Sequence, residues 1–160
     1  MLIFRLICAA LVAWAVNWVM GQPVAANLLE LVPEMGFIVP IAGAMVGFLA
    51  LATRQGWGVI VAMANGLWTM LLTVAAAWLL FLVVTMMDHV AHGLISNFEN
   101  FLRILGVEMA PLAEGWVDPR LIGVMLAATV VVGIVTEILH WILVRLRKER
   151  GEDEESTETT

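Results

Sequence analysis

Four long stretches of this chain are dominated by apolar residues: 2–20, 36–53, 59–87 and 121–144. A membrane-spanning helix needs about 20 apolar residues, because each residue rises about 1.5 Å and the hydrocarbon core is about 30 Å thick. Arg5 and Glu137 are the only charged residues inside these stretches. The pattern predicts an all-α membrane protein with four transmembrane helices in an antiparallel bundle.

The composition agrees with this class, since 62% of the 160 residues are hydrophobic and 14% are charged. Residues 1–147 are predicted to form one transmembrane domain. The net charge of −6 comes mainly from the end of the chain, which has no apolar residue to bury. Residues 148–160 are therefore predicted to be an acidic, disordered cytoplasmic tail. The single cysteine, Cys8, excludes a disulfide within the chain.

Basic residues orient the predicted bundle, because four of the eight Lys and Arg residues directly follow the fourth stretch. Such clusters mark the cytoplasmic side of a membrane. We therefore expect a protein of the bacterial inner membrane with both termini in the cytoplasm. The first stretch also has features of a signal peptide, namely Arg5, an apolar region and the small residues at 24–26. Asn17, Trp14 and Trp18 favour a retained helix.

The connection between the third and fourth stretches is long, and part of it is amphipathic. Its apolar residues recur at spacings of three and four: Leu94, Phe98, Phe101, Leu102 and Leu105. This spacing predicts a helical segment over about residues 92–106 that lies along the outer membrane surface or caps the bundle. The first outer connection, residues 21–35, is expected to hold a short interfacial helix.

Small residues four positions apart allow two helices to approach closely, and Gly43 and Gly47 form such a GxxxG pattern in the second stretch. The helix packed against them belongs either to the same chain or to a partner. A homo-oligomer or a contact with another membrane protein through this helix is thus one interpretation. The lipid bilayer is the other expected partner.

Glu137 is the sharpest candidate for a functional site, because an ionisable residue within a span is costly. It lies about 10 Å from the cytoplasmic end of its stretch, and Asn65 lies about 9 Å from the same end. His140 shares a helix face with Glu137, and Arg5 enters near the same edge. Arg5, Asn65, Glu137 and His140 are predicted to form an inner polar cluster. It acts either as a hydrogen-bonded clasp that holds helices together or as a proton or ion site.

Asp88, His89 and His92 lie at the outer end of the third stretch, with a spacing that suits zinc ligands. A solvated helix end explains them better, so they remain weak candidates and we predict no metal site. His140 lies at the opposite membrane side, so these histidines cannot ligate one haem, and we expect no cofactor. The chain also lacks CxxC, HExxH, GxSxG and P-loop motifs and has no basic face for nucleic acid. We expect no enzymatic activity.

The order of several short motifs resembles the TrgA-type membrane proteins, which are associated with tellurite resistance. The motifs are Arg5-Leu6, Pro33-Glu34, Gly36-Phe37, Gly43 to Gly47, Asn65-Gly66-Leu67, an acidic residue near Asp88, and Thr136-Glu137. The resemblance covers about residues 1–147; His89, His92 and the acidic tail are not part of it. It implies a contribution to tellurite resistance and implies no reaction.

A pore for the tellurite anion would need basic groups deep in the bundle, and this chain has only Arg5 near an edge. An indirect role in resistance is therefore favoured over direct export. The alternative is a small proton- or ion-coupled transporter or channel that uses Glu137.

Overall fold

A computed structural model describes residues 2–51, 58–95 and 97–158 of the chain. The regular elements in this part of the chain are helices. In order they are α1 (Leu2–Met20), a 3-10 turn (Pro23–Ala25), α2 (Ala26–Leu31), α3 (Met35–Leu49), α4 (Val59–Ala91), α5 (Phe98–Trp116) and α6 (Pro119–Glu158).

Three helices are long and apolar enough to cross a membrane: α1, α4 and the part of α6 from Pro119 to Leu146. A fourth span results if the segment Pro23–Leu31 and α3, which are bent by 108°, count as one broken span. α3 has 15 residues, a length of about 22 Å, and is too short to cross the hydrocarbon core alone. The prediction of an all-α membrane protein is confirmed at the level of three to four candidate spans.

The helix ends differ from the predicted ones where capping residues intervene. α4 continues past residue 87 to Ala91 and is followed by Gly93, whose φ of +68° suits the end of a helix. α5 begins after Asn97, whose side chain accepts the backbone N–H of Asn100 at 2.8 Å. The amphipathic helix therefore covers residues 98–116 rather than about 92–106. The predicted end of the second stretch at residue 53 lies outside the described residues.

Neighbouring helices pack in antiparallel pairs through glycines. Gly47 lies against Cys8, and Gly43 lies against Val12, so α3 runs opposite to α1. Gly43 also faces Thr73 of α4. The two glycines of the predicted GxxxG pattern thus pack within the chain, and a partner chain at this helix stays a prediction.

The outer connections also pack on one another, because Gly115 of α5 lies against Leu28 of α2. At the other end of the molecule, the ring of Phe4 in α1 meets the ring of His140 in α6 at 5.6 Å between centroids. The first turn of α1 is thereby held beside α6. The backbone of α6 stays helical to Glu158, through residues for which a tail was predicted. Disorder of that acidic tail in solution stays a prediction.

Candidate functional site

The Glu137 carboxylate is buried between α6 and the start of α4, with 3% of the residue exposed. Its Oε1 atom accepts the backbone N–H of Gly58 at 3.0 Å and the indole N–H of Trp141 at 3.0 Å. Gly58 is the residue that precedes the first turn of α4. One carboxylate oxygen therefore joins the beginning of one long helix to the side of another.

The N-terminus of α4 is an electrostatically favourable place for a carboxylate. The backbone N–H groups of the first helical turn point out of the helix, and the helix dipole puts partial positive charge there. Gly58 has a φ of +98°, a conformation that L side chains rarely adopt. A glycine at this position therefore lets the chain enter α4 with its N–H directed at Glu137.

A row of small residues brings α6 close enough to α4 for this contact. A Cβ atom added to Gly66 would meet the backbone of Thr129, and one added to Gly133 would meet the backbone of Ala62. The contacting residues of α4 recur at every fourth position toward its N-terminus, in the order Gly66, Ala62 and Gly58. Their partners on α6 recur at every fourth position toward its C-terminus, in the order Thr129, Gly133 and Glu137. Close backbone contact between the two helices thus positions the buried carboxylate.

The other members of the predicted inner cluster have aromatic or backbone contacts of their own. Asn65 precedes Gly66, which faces Thr129, so Asn65 lies about two helical turns from the level of Glu137. Asn65 is buried, and its backbone carbonyl accepts the Thr69 hydroxyl at 2.7 Å. The Arg5 guanidinium lies 5.8 Å from the centre of the Phe48 ring. His140 has the edge-to-face contact with Phe4 described above. The Arg5 contact joins α1 to α3, and the His140 contact joins α1 to α6. A shared functional site stays a prediction.

Buried threonines on α4 and α6 form a polar line that was not predicted from the sequence, and of these Thr136 adjoins Glu137. Thr69 and Thr73 on α4 each donate to the backbone carbonyl four residues earlier, as do Thr129 and Thr136 on α6. All four are buried. The spacing of polar residues in the sequence could have indicated this line, because Asn65, Thr69 and Thr73 recur at every fourth position in a mostly apolar stretch. Their hydroxyl protons are already used within each helix, which makes this line a satisfied packing surface.

The interior next to this line is tightly packed. A cavity of about 10 Å³ lies between α1, α4 and α6 and is lined by residues that include Val16, Gly66, Thr69 and Thr129. A cavity of roughly this volume holds at most a single water molecule. The space beside the polar line is thus too small for a hydrated ion.

The outer histidines pair with carboxylates. His89 Nε2 on α4 lies 3.6 Å from Glu108 Oε1 on α5, beside an open groove of about 240 Å³. His92 Nδ1 lies 3.4 Å from Asp88 Oδ1 at the exposed end of α4. Among the described residues, no three His, Cys, Asp or Glu side chains are grouped so that they could hold a metal ion. The weak zinc candidates thus occur as two separate pairs.

Comparisons of the chain with family models, with curated proteins and with solved structures find no match. The resemblance to the TrgA-type proteins stays a prediction.

Proposed function

We propose that the chain is a non-enzymatic inner-membrane protein in which Glu137 is a structural clasp between two helices. The observation that carries this proposal is the pair of hydrogen bonds from Gly58 and Trp141 to a single carboxylate oxygen. Both donors are uncharged N–H groups. Each of these two donors needs an acceptor oxygen at this place.

The arrangement in the membrane is part of the proposal: four antiparallel spans with both termini in the cytoplasm. The contact of Phe4 with His140 supports it, because it puts the first turn of α1 beside the end of α6 that precedes the basic cluster. The glycine contacts of α3 with α1 support it as well, since they define an antiparallel pair. In this arrangement α2 and α5 lie on the outer side.

The role in the cell rests on the resemblance to the TrgA-type proteins, from which we propose an indirect contribution to tellurite resistance. Tight packing beside the polar line favours this over a pathway through the chain, because the cavity of about 10 Å³ leaves no room for an oxyanion. The Arg5 guanidinium, which belongs to the predicted inner cluster, lies over the Phe48 ring. A protein of this kind would support envelope integrity or the assembly of another membrane protein.

The test compares tellurite survival of a deletion strain that carries the wild-type chain, Glu137→Gln or Glu137→Ala, with membrane abundance measured in parallel. Gln keeps an acceptor oxygen, so we expect wild-type survival and abundance. Ala removes the acceptor from two N–H groups, so we expect reduced abundance and a matching loss of survival. Glu114→Gln is the matched control, because it neutralises an exposed carboxylate on α5.

The outcomes separate the alternatives. Loss of survival with Glu137→Gln at wild-type abundance would contradict the clasp and favour a proton- or ion-coupled transporter. Equal survival and abundance for Glu137→Ala and the wild-type chain would mean that the carboxylate has no structural role. Failure of the wild-type chain to restore survival would refute the tellurite assignment and leave the clasp to be judged from abundance alone.

A further inference from the structure

The two halves of α5 are held differently. The buried residues of this helix all follow Pro111 and are Leu112, Gly115 and Trp116. Gly115 lies against Leu28 of α2, so the C-terminal end of α5 is fixed to its neighbour. Residues 98–110 are half-buried or exposed. Because a proline cannot donate to the carbonyl four residues earlier, Pro111 is the place between the two halves where the helix bends most easily.

An ion pair joins the N-terminal half of α5 to the outer end of α4. His89 Nε2 lies 3.6 Å from Glu108 Oε1. The groove of about 240 Å³ beside this pair is lined on α4 by His89 and on α5 by Arg103, Ile104, Val107 and Glu108. His89 is thus the residue through which α4 lines this groove.

The other ring nitrogen of His89 determines which proton this pair needs. Nδ1 lies 2.8 Å from the backbone carbonyl oxygen of Thr85. A carbonyl oxygen can only accept a hydrogen bond, so Nδ1 carries a proton. In a neutral ring Nε2 then presents a lone pair to the negative Glu108 carboxylate, which repels it. The contact is attractive only when the pair holds one more proton, which an imidazole takes up more readily than a carboxylate does.

We propose that His89 and Glu108 form a proton-dependent latch between α4 and the N-terminal half of α5. A histidine ordinarily changes its charge between about pH 5 and 8. Below this range the imidazolium attracts Glu108 and the latch is closed. As the pH rises through the range, the ring loses its Nε2 proton, the attraction is lost and α5 can bend at Pro111. In the membrane arrangement proposed above, the latch would respond to the pH outside the cytoplasm.

The charged groups near His89 come from both helices. On α5, Arg103 disfavours an imidazolium and Glu108 favours it, and of the two Glu108 is the group at ion-pair distance. On α4, Asp88 precedes His89, but its carboxylate lies 3.4 Å from Nδ1 of His92 on the same helix. Within the described ranges, α2 and α6 contribute no residue to the groove. Glu108 is therefore the carboxylate that meets His89 from a second helix.

Bending at Pro111 would move the free half of α5 by a measurable distance. Leu102 is nine residues before Pro111, about 14 Å along the helix. A change of about 20° in the helix direction at Pro111 would displace Leu102 by about 5 Å. Release of the latch therefore predicts a displacement of about this size relative to α4.

The test measures the distance between two spin labels by pulsed electron paramagnetic resonance on the full-length protein in detergent at pH 5.5 and pH 8. The labels are attached through Met87→Cys on α4 and Leu102→Cys on α5, which replace exposed side chains outside the groove. Cys8 is buried and is replaced by alanine, so that the introduced cysteines are the only thiols. We expect the mean distance to be about 5 Å longer at pH 8 than at pH 5.5.

Two further variants in the labelled chain identify the titrating pair. Glu108→Gln should abolish the change with pH, because an uncharged amide offers both a donor and an acceptor and can pair with either form of the His89 ring. His92→Ala is the matched control. It removes the other histidine–carboxylate pair, which lies within α4 and joins no second helix, so the full change with pH should remain.

Three results would overturn the proposal. The first is a distance that is the same at both pH values, or longer at pH 5.5, in the chain that keeps both histidines and Glu108. The second is a change with pH that persists in Glu108→Gln, since another group would then be titrating. The third is loss of the change in His92→Ala, which would assign it to the exposed pair. None of these results depends on the role of the chain in tellurite resistance.

Discussion

Replacing Gly66 with alanine tests whether close contact between α4 and α6 holds the molecule together. The added Cβ atom would lie 3.0 Å from the carbonyl carbon of Thr129 and closer still to its oxygen. Ordinary contacts of this kind begin at 3.4 Å, so the helices must move apart by at least 0.4 Å (3.4 − 3.0) to clear the carbon alone. Backbone atoms cannot move aside as the end of a flexible side chain can.

The expected cost follows from overpacking, which typically destabilises a protein by about 1–3 kcal/mol. Alanine also has a higher helix propensity than glycine, which stabilises the helix by about 1 kcal/mol. This gain has to be subtracted to obtain the cost of the helix contact. Gly123→Ala supplies that correction, since a Cβ at Gly123 of α6 would meet nothing within 4 Å. The difference between the two variants therefore reports the helix contact itself.

The assay is thermal unfolding of the purified protein in detergent, followed by far-UV circular dichroism at one fixed heating rate. For a chain of this length, about 1–3 kcal/mol corresponds to a lowering of the midpoint by about 2–12 °C. We expect Gly66→Ala to melt lower than Gly123→Ala by that amount. Gly133→Ala should behave like Gly66→Ala, because its Cβ would meet the backbone of Ala62.

Equal midpoints for Gly66→Ala and Gly123→Ala would refute the reasoning. That result would mean that α4 and α6 do not approach through their backbones. The contact between Glu137 and Gly58, two turns along the same row of residues, would then lose its structural basis as well.

Further predictions concern the surroundings of Glu137 and the outer histidines. Gly58→Ala should cost about 1–3 kcal/mol in the same melting assay, because its φ of +98° strains an L side chain, whereas Gly106→Ala, at an open site, should not destabilise the protein. Thr69→Val and Thr129→Val should each change stability by less than about 1.5 kcal/mol and keep tellurite survival, since their hydroxyls bond within their own helices. Lost survival at normal abundance would instead indicate a conducting line. Equimolar zinc should leave the midpoint unchanged; a rise that disappears in His89→Ala would reveal a metal site.

The membrane class was predictable from the sequence because it depends on apolar length, which is a local property. The first stretch, residues 2–20, coincides with α1. The prediction was less accurate where a helix continues through polar residues, as α4 does from residue 88 to Ala91. There the helix ends at a glycine rather than at the edge of the apolar run.

The choice of helix contacts was not predictable from small-residue patterns. Gly43 and Gly47 were visible as a GxxxG pair, but Ala62 with Gly66 and Thr129 with Gly133 have the same spacing. In the structure both sets are used within the chain, the first against α1 and the second between α4 and α6. Spacing along one helix cannot name its partner, because the partner depends on how all the helices are arranged.

The sequence identified Glu137 through the cost of a charge in an apolar span, a cost that requires no knowledge of the neighbours. Its hydrogen-bond donors were not predicted. The donor from Gly58 is a backbone N–H group that every residue except proline carries, so residue identity gives no sign of it. Trp141 follows Glu137 by one helical turn, but whether its indole N–H reaches the carboxylate depends on the directions of the two side chains.

Apolar length and the positions of charges were thus sufficient to indicate helices, a membrane and one costly carboxylate, since each follows from the properties of single residues or short segments. The tertiary structure alone decided that Glu137 meets the start of α4 and that Gly43 and Gly47 face α1. It also decided that His89, near the end of α4, lies against Glu108 of α5. These features depend on the register of helices far apart in the chain, which local patterns do not contain.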